Sequence, residues 1–224
     1  PRVDLRTRRV IAGYGILQPR VVTPLPLPEQ VTWYHRLFAG ECGIDPYSAA
    51  TSEVYQDVFG EGTFTGKGLI HVQAMHDTLG GRLPEGQVLS HDLLEGALMR
   101  CAAVSDVTVV EDAPVHADVA ASRVHRWTRG DWQLLPFLLQ PSRWAMSGIS
   151  RWKMVDNLRR SLVVPMALAL VLLVLATGVL PLGWTLAAVL SAFCAGPLLG
   201  ALAGLAPSRD DIALGLFYRR AGAE

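Results

Sequence analysis

A run of 46 residues without a charged side chain, 161–206, constrains this chain more than any other feature of its sequence. Residues 161–180 supply 20 uncharged and mostly apolar positions, enough for a helix of roughly 30 Å, the thickness of one bilayer core. A turn at 181–183 separates them from a second apolar stretch, 184–206. One such run is also typical of a buried core helix, but two in tandem predict a pair of transmembrane helices.

Basic residues flank the uncharged run on both sides, and the turn inside it carries no charge. They are Arg143, Arg151, Lys153, Arg159 and Arg160 before the run, and Arg209, Arg219 and Arg220 after it. The positive-inside rule therefore predicts that both ends of the run, and the globular part with them, are cytoplasmic.

Two further features indicate how the chain meets a membrane. Gly196, Gly200 and Gly204 form a stripe of small residues, which favours close packing against another transmembrane helix of this protein or of a partner. The alternative is the general tolerance of membranes for small residues. Trp144 and Trp152, with an apolar stretch at 134–139, predict an amphipathic segment over 134–160 in the membrane interface. Residues 207–224 are then a cytoplasmic tail or linker.

Outside the uncharged run, the composition is that of an ordinary globular domain. The chain carries 20 basic and 20 acidic residues, so its formal net charge is zero. This composition excludes a disordered chain and a nucleic-acid binder driven by bulk positive charge. Three distant cysteines without a Cys-x-x-Cys spacing predict buried free thiols in a reducing compartment.

Strand and helix patterns alternate through residues 1–133, which predicts an α/β or mixed-sheet domain. The predicted elements are two short strands within 9–22, a helix at 29–39, a Gly-rich loop at 57–68, a helix at 69–79, a strand near 87–89, a helix at 92–101, a strand at 106–110 and a helix at 118–130.

The strongest local pattern surrounds Asp92, which lies where an apolar strand is expected to end and a helix to begin. In a purely structural interpretation, Asp92 caps the helix and Glu95 completes a pair resembling a capping box. In the functional interpretation, the carboxylate lies at the C-terminal end of a strand, where α/β sheets open onto ligands, and acts as a general base. The local pattern leaves both interpretations open.

A second pattern, residues 123–133, combines basic and aromatic side chains. Arg126 and Arg129 lie three positions apart and can share a helix face, where their guanidinium groups suit diphosphate oxygens. Trp127 and Trp132 offer flat apolar faces for stacking on a sugar ring. A basic and aromatic belt beside a membrane is the structural alternative.

Ser90-His91-Asp92 followed by Arg126-Trp127 resembles the catalytic half of processive membrane glycosyltransferases of the cellulose synthase type. Those enzymes carry a Thr-Glu-Asp triplet whose Asp is the base, followed by a Gln-x-x-Arg-Trp motif. Asp92 matches the base, and Arg126-Trp127 match the Arg-Trp pair. The position of the Gln is occupied by Arg123, a departure that affects the expected acceptor contacts.

A longer match covers nearly all of the globular part and resembles the cyclic β-1,2-glucan synthases. Four segments carry it in order: GYGILQPR at 13–20, YQDVFGEGTFTGKG at 55–68, LSHDLLEG at 89–96 and HRWTRGDWQ at 125–133. The resemblance implies the C-terminal part of a GT-A-like domain in a multi-pass protein of the bacterial inner membrane. It also implies inverting transfer of glucose from cytoplasmic UDP-glucose to a growing β-1,2-glucan acceptor.

The resemblance assigns roles to individual residues. It implies that Asp92 deprotonates the acceptor hydroxyl, that Arg126 and Arg129, with a divalent ion, stabilise charge on the departing UDP, and that Trp127 stacks on the acceptor glucose. Weaker candidates lie beside these positions or in the Gly-rich segment near the acceptor end: Glu61, Thr63, Lys67, His91, Glu95, Arg123, Asp131 and Trp132.

The resemblance also implies an Asp-x-Asp motif that binds the metal, and this chain has none. We therefore expect the divalent cation, Mg²⁺ or Mn²⁺, to be bound by residues outside these 224. We also expect the chain, which starts at Pro1, to be an internal piece of a longer polypeptide that does not turn over UDP-glucose alone.

Two alternatives to this function remain open. The first is a processive β-glycan synthase that forms another linkage. The second is a non-catalytic membrane assembly or export subunit, which explains the two spans and the missing metal motif. It does not explain an Asp at a strand end together with an Arg-Trp cluster.

Overall fold

The computed structural model of this chain describes residues 1–24, 29, 31–34, 50–84, 86–112, 114–204, 215 and 218–219. The chain forms two compact units, Pro1–Ser161 and Leu162–Glu224. The predicted helix at 29–39 lies mostly outside the described residues.

The first unit begins with an antiparallel hairpin of β1 (Arg2–Asp4) and β2 (Arg9–Ala12). The carboxylate of Asp4 accepts hydrogen bonds from the Arg6 N–H at 3.0 Å and the Thr7 hydroxyl at 2.7 Å, which fixes the turn between the strands. A second turn then leads into β3 (Ile16–Val22). The two strands predicted within 9–22 are therefore confirmed.

A three-stranded sheet in the order β4-β3-β5 lies at the centre of this unit. The short β4 (Leu69–Ile70) runs antiparallel to β3, and β5 (Cys101–Val110) runs parallel to it. A parallel neighbour requires a crossover connection, and the crossover from β3 to β5 includes α1 (Ala50–Phe59), α2 (Val72–Leu79) and α3 (Asp92–Met99). The unit is thus a mixed α/β structure, as predicted.

The core of the first unit forms where α3 packs against the start of the sheet. Leu94 and Leu98 lie four positions apart on one face of α3 and are fully buried, as are Ile16 and Met99. Gly15 lies so close to α3 that an added Cβ would be 2.7 Å from the Met99 carbonyl oxygen. This contact holds the start of β3 against the end of α3.

Two predicted helix boundaries and one predicted strand in this region are wrong. The helix expected over 69–79 starts only at Val72, because Leu69 and Ile70 pair with β3. The strand expected near 87–89 is absent, because the Leu89 N–H donates to the side-chain Oε1 of Gln133 at 2.9 Å instead of to a neighbouring strand. The expected helix end at 101 is also too late, since Cys101 already begins β5.

After the sheet come α4 (Ala117–Gln133), α5 (Leu135–Leu138) and α6 (Gly148–Thr177). The segment between α4 and α6 contributes to the core: Leu134, Phe137 and Trp144 are buried, and the rings of Phe137 and Trp144 are 4.8 Å apart. Trp144 is therefore not available to a membrane surface, contrary to the amphipathic segment expected here. Trp152, in α6, is half-exposed.

The second unit contains the end of α6 from Leu162 onward and α7 (Leu182–Gly204). Among the described helices, α6 is long and apolar enough to cross a membrane, and almost none of its most apolar stretch is buried. It contains most of the first expected span but ends at Thr177. In α7, the described apolar stretch is Leu182–Ala195, so the second span stays a prediction.

Candidate functional site

Asp92 is the first residue of α3, and the residue before it, His91, occupies the N-cap position. The His91 side chain makes no capping hydrogen bond. The capping interpretation of Asp92 and Glu95 is therefore wrong, because the cap lies one residue earlier and Glu95 interacts with the cap side chain instead. Asp92 itself is half-buried.

His91 and Glu95 form a pair one turn apart on α3, with His91 Nε2 3.3 Å from Glu95 Oε1. The hydrogen bond to Glu95 raises the pKa of His91, partly opposed by burial and reinforced by the negative charges of Glu95 and Asp92. Glu95 is buried, and the pair places a titratable cation beside Asp92.

The Gly-rich loop 60–68 lies against the first turns of α3. Gly66 has a φ of +85°, and a Cβ added to it would be 2.9 Å from Asp92 Oδ2. Further along the helix, a Cβ on Gly96 would be 3.1 Å from the Cβ of the buried Phe64. The loop therefore contacts α3 at both of these positions, and Asp92 lies at the first of them.

Helix α4 contacts Leu89 and Ser90, in the segment that immediately precedes Asp92. Gly130 is buried, and a Cβ added to it would be 2.6 Å from the Ser90 Cβ. One turn later, Gln133 accepts the Leu89 N–H. The C-terminal end of the basic and aromatic pattern therefore contacts the segment that immediately precedes Asp92.

The basic residues of α4 differ in their surroundings. Arg126 and Arg129 are exposed, and neither makes a hydrogen bond or ion pair with a described residue. Trp127 is half-buried, and the guanidinium of Arg123 lies 5.8 Å from the centre of its ring. The Arg that replaces the Gln of the cellulose synthase motif therefore covers part of Trp127.

Asp131 and Trp132, two of the weaker candidates, contact α6. Asn157 Nδ2 donates to Asp131 Oδ1 at 3.1 Å, and Trp132 Nε1 donates to the Ser161 hydroxyl at 3.0 Å. These bonds fix α4 against α6 within the first unit.

Glu61 lies at the start of the Gly-rich loop, where it is buried at the N-terminus of α6. Its Oε1 accepts a hydrogen bond from the Ser147 hydroxyl at 2.8 Å, and Ser147 in turn accepts the Ser150 N–H. Two guanidinium groups, those of Arg9 and Arg100, lie 3.9 and 3.8 Å from its Oε2. A carboxylate at a helix N-terminus is favourable, so Glu61 anchors the loop to α6.

The other two candidates in this loop also have structural contacts. Thr63 is buried, and its backbone N–H donates to the Ser52 hydroxyl at 2.9 Å. Lys67 forms an ion pair with Glu111, the residue after β5. In the described contacts, Gly66 lies closer to Asp92 than Glu61, Thr63 or Lys67 does.

Sequence patterns did not reveal the cluster around Glu61. Its partners Arg9, Arg100 and Ser147 come from three distant segments, and the Glu61–Ser147 pair spans 86 positions. Lys153 belongs to the same cluster: it is buried, and its Nζ donates to the Gly62 carbonyl at 2.7 Å. The sequence feature that could have indicated this cluster is the Ser147-x-x-Ser150 spacing, which is typical of the capped start of a helix.

The part of the chain that the structure describes contains no group of three or more His, Cys, Asp or Glu side chains arranged to hold a metal ion.

Comparison with known proteins confirms the resemblance to the cyclic β-1,2-glucan synthases. The chain is 47% identical, over 95% of its length, to the cyclic β-(1,2)-glucan synthase NdvB of Rhizobium meliloti (strain 1021). It spans only 8% of the length of that relative. No protein-family model matches the chain.

Proposed function

We propose that this chain is the C-terminal part of a GT-A-like glycosyltransferase domain in a membrane-bound, inverting β-1,2-glucan synthase. In this proposal, the whole polypeptide transfers glucose from UDP-glucose to a growing glucan. The observation that carries the proposal is the identity to the glucan synthase of Rhizobium meliloti, which extends over nearly the whole chain.

Asp92 is the proposed general base of glucose transfer. Its half-buried carboxylate lies at the start of α3, with the Gly-rich loop on one side and the junction with α4 close by in sequence. A carboxylate in such a position accepts the proton of an acceptor hydroxyl as that hydroxyl attacks the sugar. The negative charge that develops on the departing diphosphate then needs a cationic partner.

Arg126 and Arg129 are the proposed partners of the departing diphosphate. Both are exposed, and their guanidinium groups have no described partner to compete with a ligand. Planar guanidinium groups bind phosphate oxygens through paired hydrogen bonds and keep their charge at all working pH values. Trp127, partly covered by Arg123, offers its remaining face for stacking on the acceptor glucose.

The proposal places the expected Mg²⁺ or Mn²⁺ on residues beyond these 224. It also places α6, and α7 with it, in the bacterial inner membrane beside other transmembrane helices of the same polypeptide. The length and composition of α6 support this location.

The test is glucose incorporation by the full-length polypeptide in membrane vesicles supplied with radiolabelled UDP-glucose. We expect a polymeric product that a β-1,2-specific glucanase digests completely, and no product from the isolated 224-residue chain. A product that resists this glucanase indicates a synthase of another linkage. No incorporation by the full-length polypeptide contradicts the proposal and favours a non-catalytic assembly or export role.

A further inference from the structure

A cavity of about 580 Å³ lies between the segment 81–88 and the C-terminal end of α4. Gln133, which lines it, accepts the N–H of Leu89, three residues before Asp92. The cavity therefore lies alongside the junction that carries the proposed base, and its volume is within the roughly 300–1,000 Å³ of small-molecule sites.

The described charged groups that line this cavity are the guanidinium groups of Arg82 and Arg143, and that of Arg143 lies 5.9 Å from the Trp144 ring centre. No described carboxylate lines the cavity. The guanidinium of Arg82 stacks 4.1 Å from the Trp144 ring centre and donates to the carbonyl oxygens of Thr78 at 2.9 Å and Arg143 at 2.8 Å. Its donors are thus already engaged with the protein backbone.

Amide and indole groups remain available to a ligand. Gln87 and Gln140 are exposed, and their side chains make no hydrogen bond with a described residue. Trp132 is 41% exposed, although its Nε1 is bonded to Ser161. Amides both donate and accept hydrogen bonds, as sugar hydroxyls do, and an indole supplies a flat apolar face.

We propose that this cavity binds a segment of the β-1,2-glucan chain, away from the acceptor end that meets Asp92. The proposal rests on the proposed function, which supplies the polysaccharide. Gln87 and Gln140 hydrogen-bond the sugar hydroxyls, and Trp132 packs against a sugar face. The cavity thereby holds the growing product beside the site between transfers.

The experiment follows hydrogen exchange of the full-length polypeptide with added β-1,2-gluco-oligosaccharides. Mass spectrometry of peptides from 81–88 and 132–144 locates any protection at the cavity and does not depend on catalysis. The variant Gln87→Ala with Gln140→Ala removes both exposed amides, and Gln73→Ala on the exposed face of α2 is the matched control. Trp132→Phe keeps an aromatic face, whereas Trp132→Ala removes it.

We expect protection of both segments in the parent, in Gln73→Ala and in Trp132→Phe. The double glutamine variant and Trp132→Ala should each need about tenfold more oligosaccharide for the same protection, because hydrogen bonds or stacking are lost. Maltooligosaccharides of equal length should protect neither segment, and equal protection by them overturns the assignment to the β-1,2 product.

Absence of protection, or unchanged protection in the double variant, overturns the proposal. Glucose incorporation is measured on the same preparations, so the two proposals fail separately. A polypeptide that incorporates glucose without protection at these segments contradicts the cavity assignment alone. One that shows protection without incorporation contradicts the proposed function.

Discussion

Gly66 lies directly against the side chain of Asp92, since a Cβ on Gly66 would be 2.9 Å from Asp92 Oδ2 and 3.2 Å from its Cγ. The loop 60–68 therefore sets the position of the carboxylate as much as α3 does. At its other end, the same loop is anchored by the buried Glu61. The loop that positions the proposed base therefore contacts Asp92 near one end, through Gly66, and the start of α6 near the other, through Glu61.

Gly66→Ala should reduce glucose incorporation by the full-length polypeptide at least about tenfold, because the new methyl group displaces the Asp92 carboxylate. The left-handed φ of +85° adds backbone strain. Gly178→Ala is the matched control, because Gly178 has a φ of +63° but no atom within 4 Å of an added Cβ. Equal initial rates for the two variants contradict a positioning role for the loop.

Gly130→Ala should destabilise the packing of α4, although Gly to Ala substitution inside a helix is normally favourable. The added Cβ would lie 2.6 Å from the Ser90 Cβ, and such overpacking costs about 1–3 kcal/mol. Limited proteolysis should show faster cleavage in 117–133 than in the parent. The control is Gly148→Ala, where no atom lies within 4 Å of the new methyl group, and this variant should leave cleavage unchanged. If Gly130→Ala is as resistant to proteolysis as the parent, the close contact between Gly130 and Ser90 is refuted.

The His91–Glu95 pair predicts a pH effect with a definite sign. The hydrogen bond from His91 to Glu95 raises the pKa of His91 above its usual 6.5. The stability that the pair contributes is therefore complete below about pH 6.5, the unfolded value, and is lost as pH rises through the folded pKa. Replacing Glu95 by Gln should lower the pKa of His91, since burial then opposes protonation.

The titration of the His91 ring by NMR, with the signal assigned through His91→Gln, measures this shift. A midpoint above 6.5 in the parent and a lower midpoint in Glu95→Gln support the pairing. A midpoint that does not respond to Glu95→Gln contradicts it.

Cys101 should be unreactive in the folded protein. Burial raises the pKa of its thiol to about 12, so the thiolate, which is the reactive form, is scarce at pH 8. Iodoacetamide at pH 8 should label the peptide containing Cys101 only after denaturation, as mass spectrometry would show. Labelling of the native protein at the rate of an exposed thiol would mean that the start of β5 opens to solvent.

Local sequence patterns predicted the strands and helices that are determined by residues within or next to the same segment. The turn between β2 and β3 follows from Gly13, which has a φ of +69°, and α3 follows from its apolar face with Leu94 and Leu98. The missing strand near 87–89 and the extra strand β4 have distant causes. Leu89 bonds to a side chain 44 positions away, and β4 exists only because β3 lies beside it.

The same distinction separates the candidate site residues that contiguous motifs indicate from those that they do not. Asp92, Arg126 and Trp127 lie in contiguous motifs and could be found by resemblance. The environment of Glu61 could not, because Arg9, Arg100 and Ser147 converge on it only in the folded unit. The sequence pattern predicts a membrane-interface position for Trp144, because its apolar neighbours suit an interface and a protein core equally well. Packing against Phe137 places Trp144 in the core instead.

The most direct test of the account is glucose incorporation from UDP-glucose by the full-length polypeptide carrying Asp92→Asn. Asn has nearly the same shape as Asp but cannot accept the acceptor proton, so incorporation should fall by at least about a hundredfold while the amount of protein in the membrane is unchanged. Asp106→Asn, at an exposed position of β5, should retain the parental rate. Incorporation by Asp92→Asn at the rate of Asp106→Asn would contradict the assignment of Asp92 as the base.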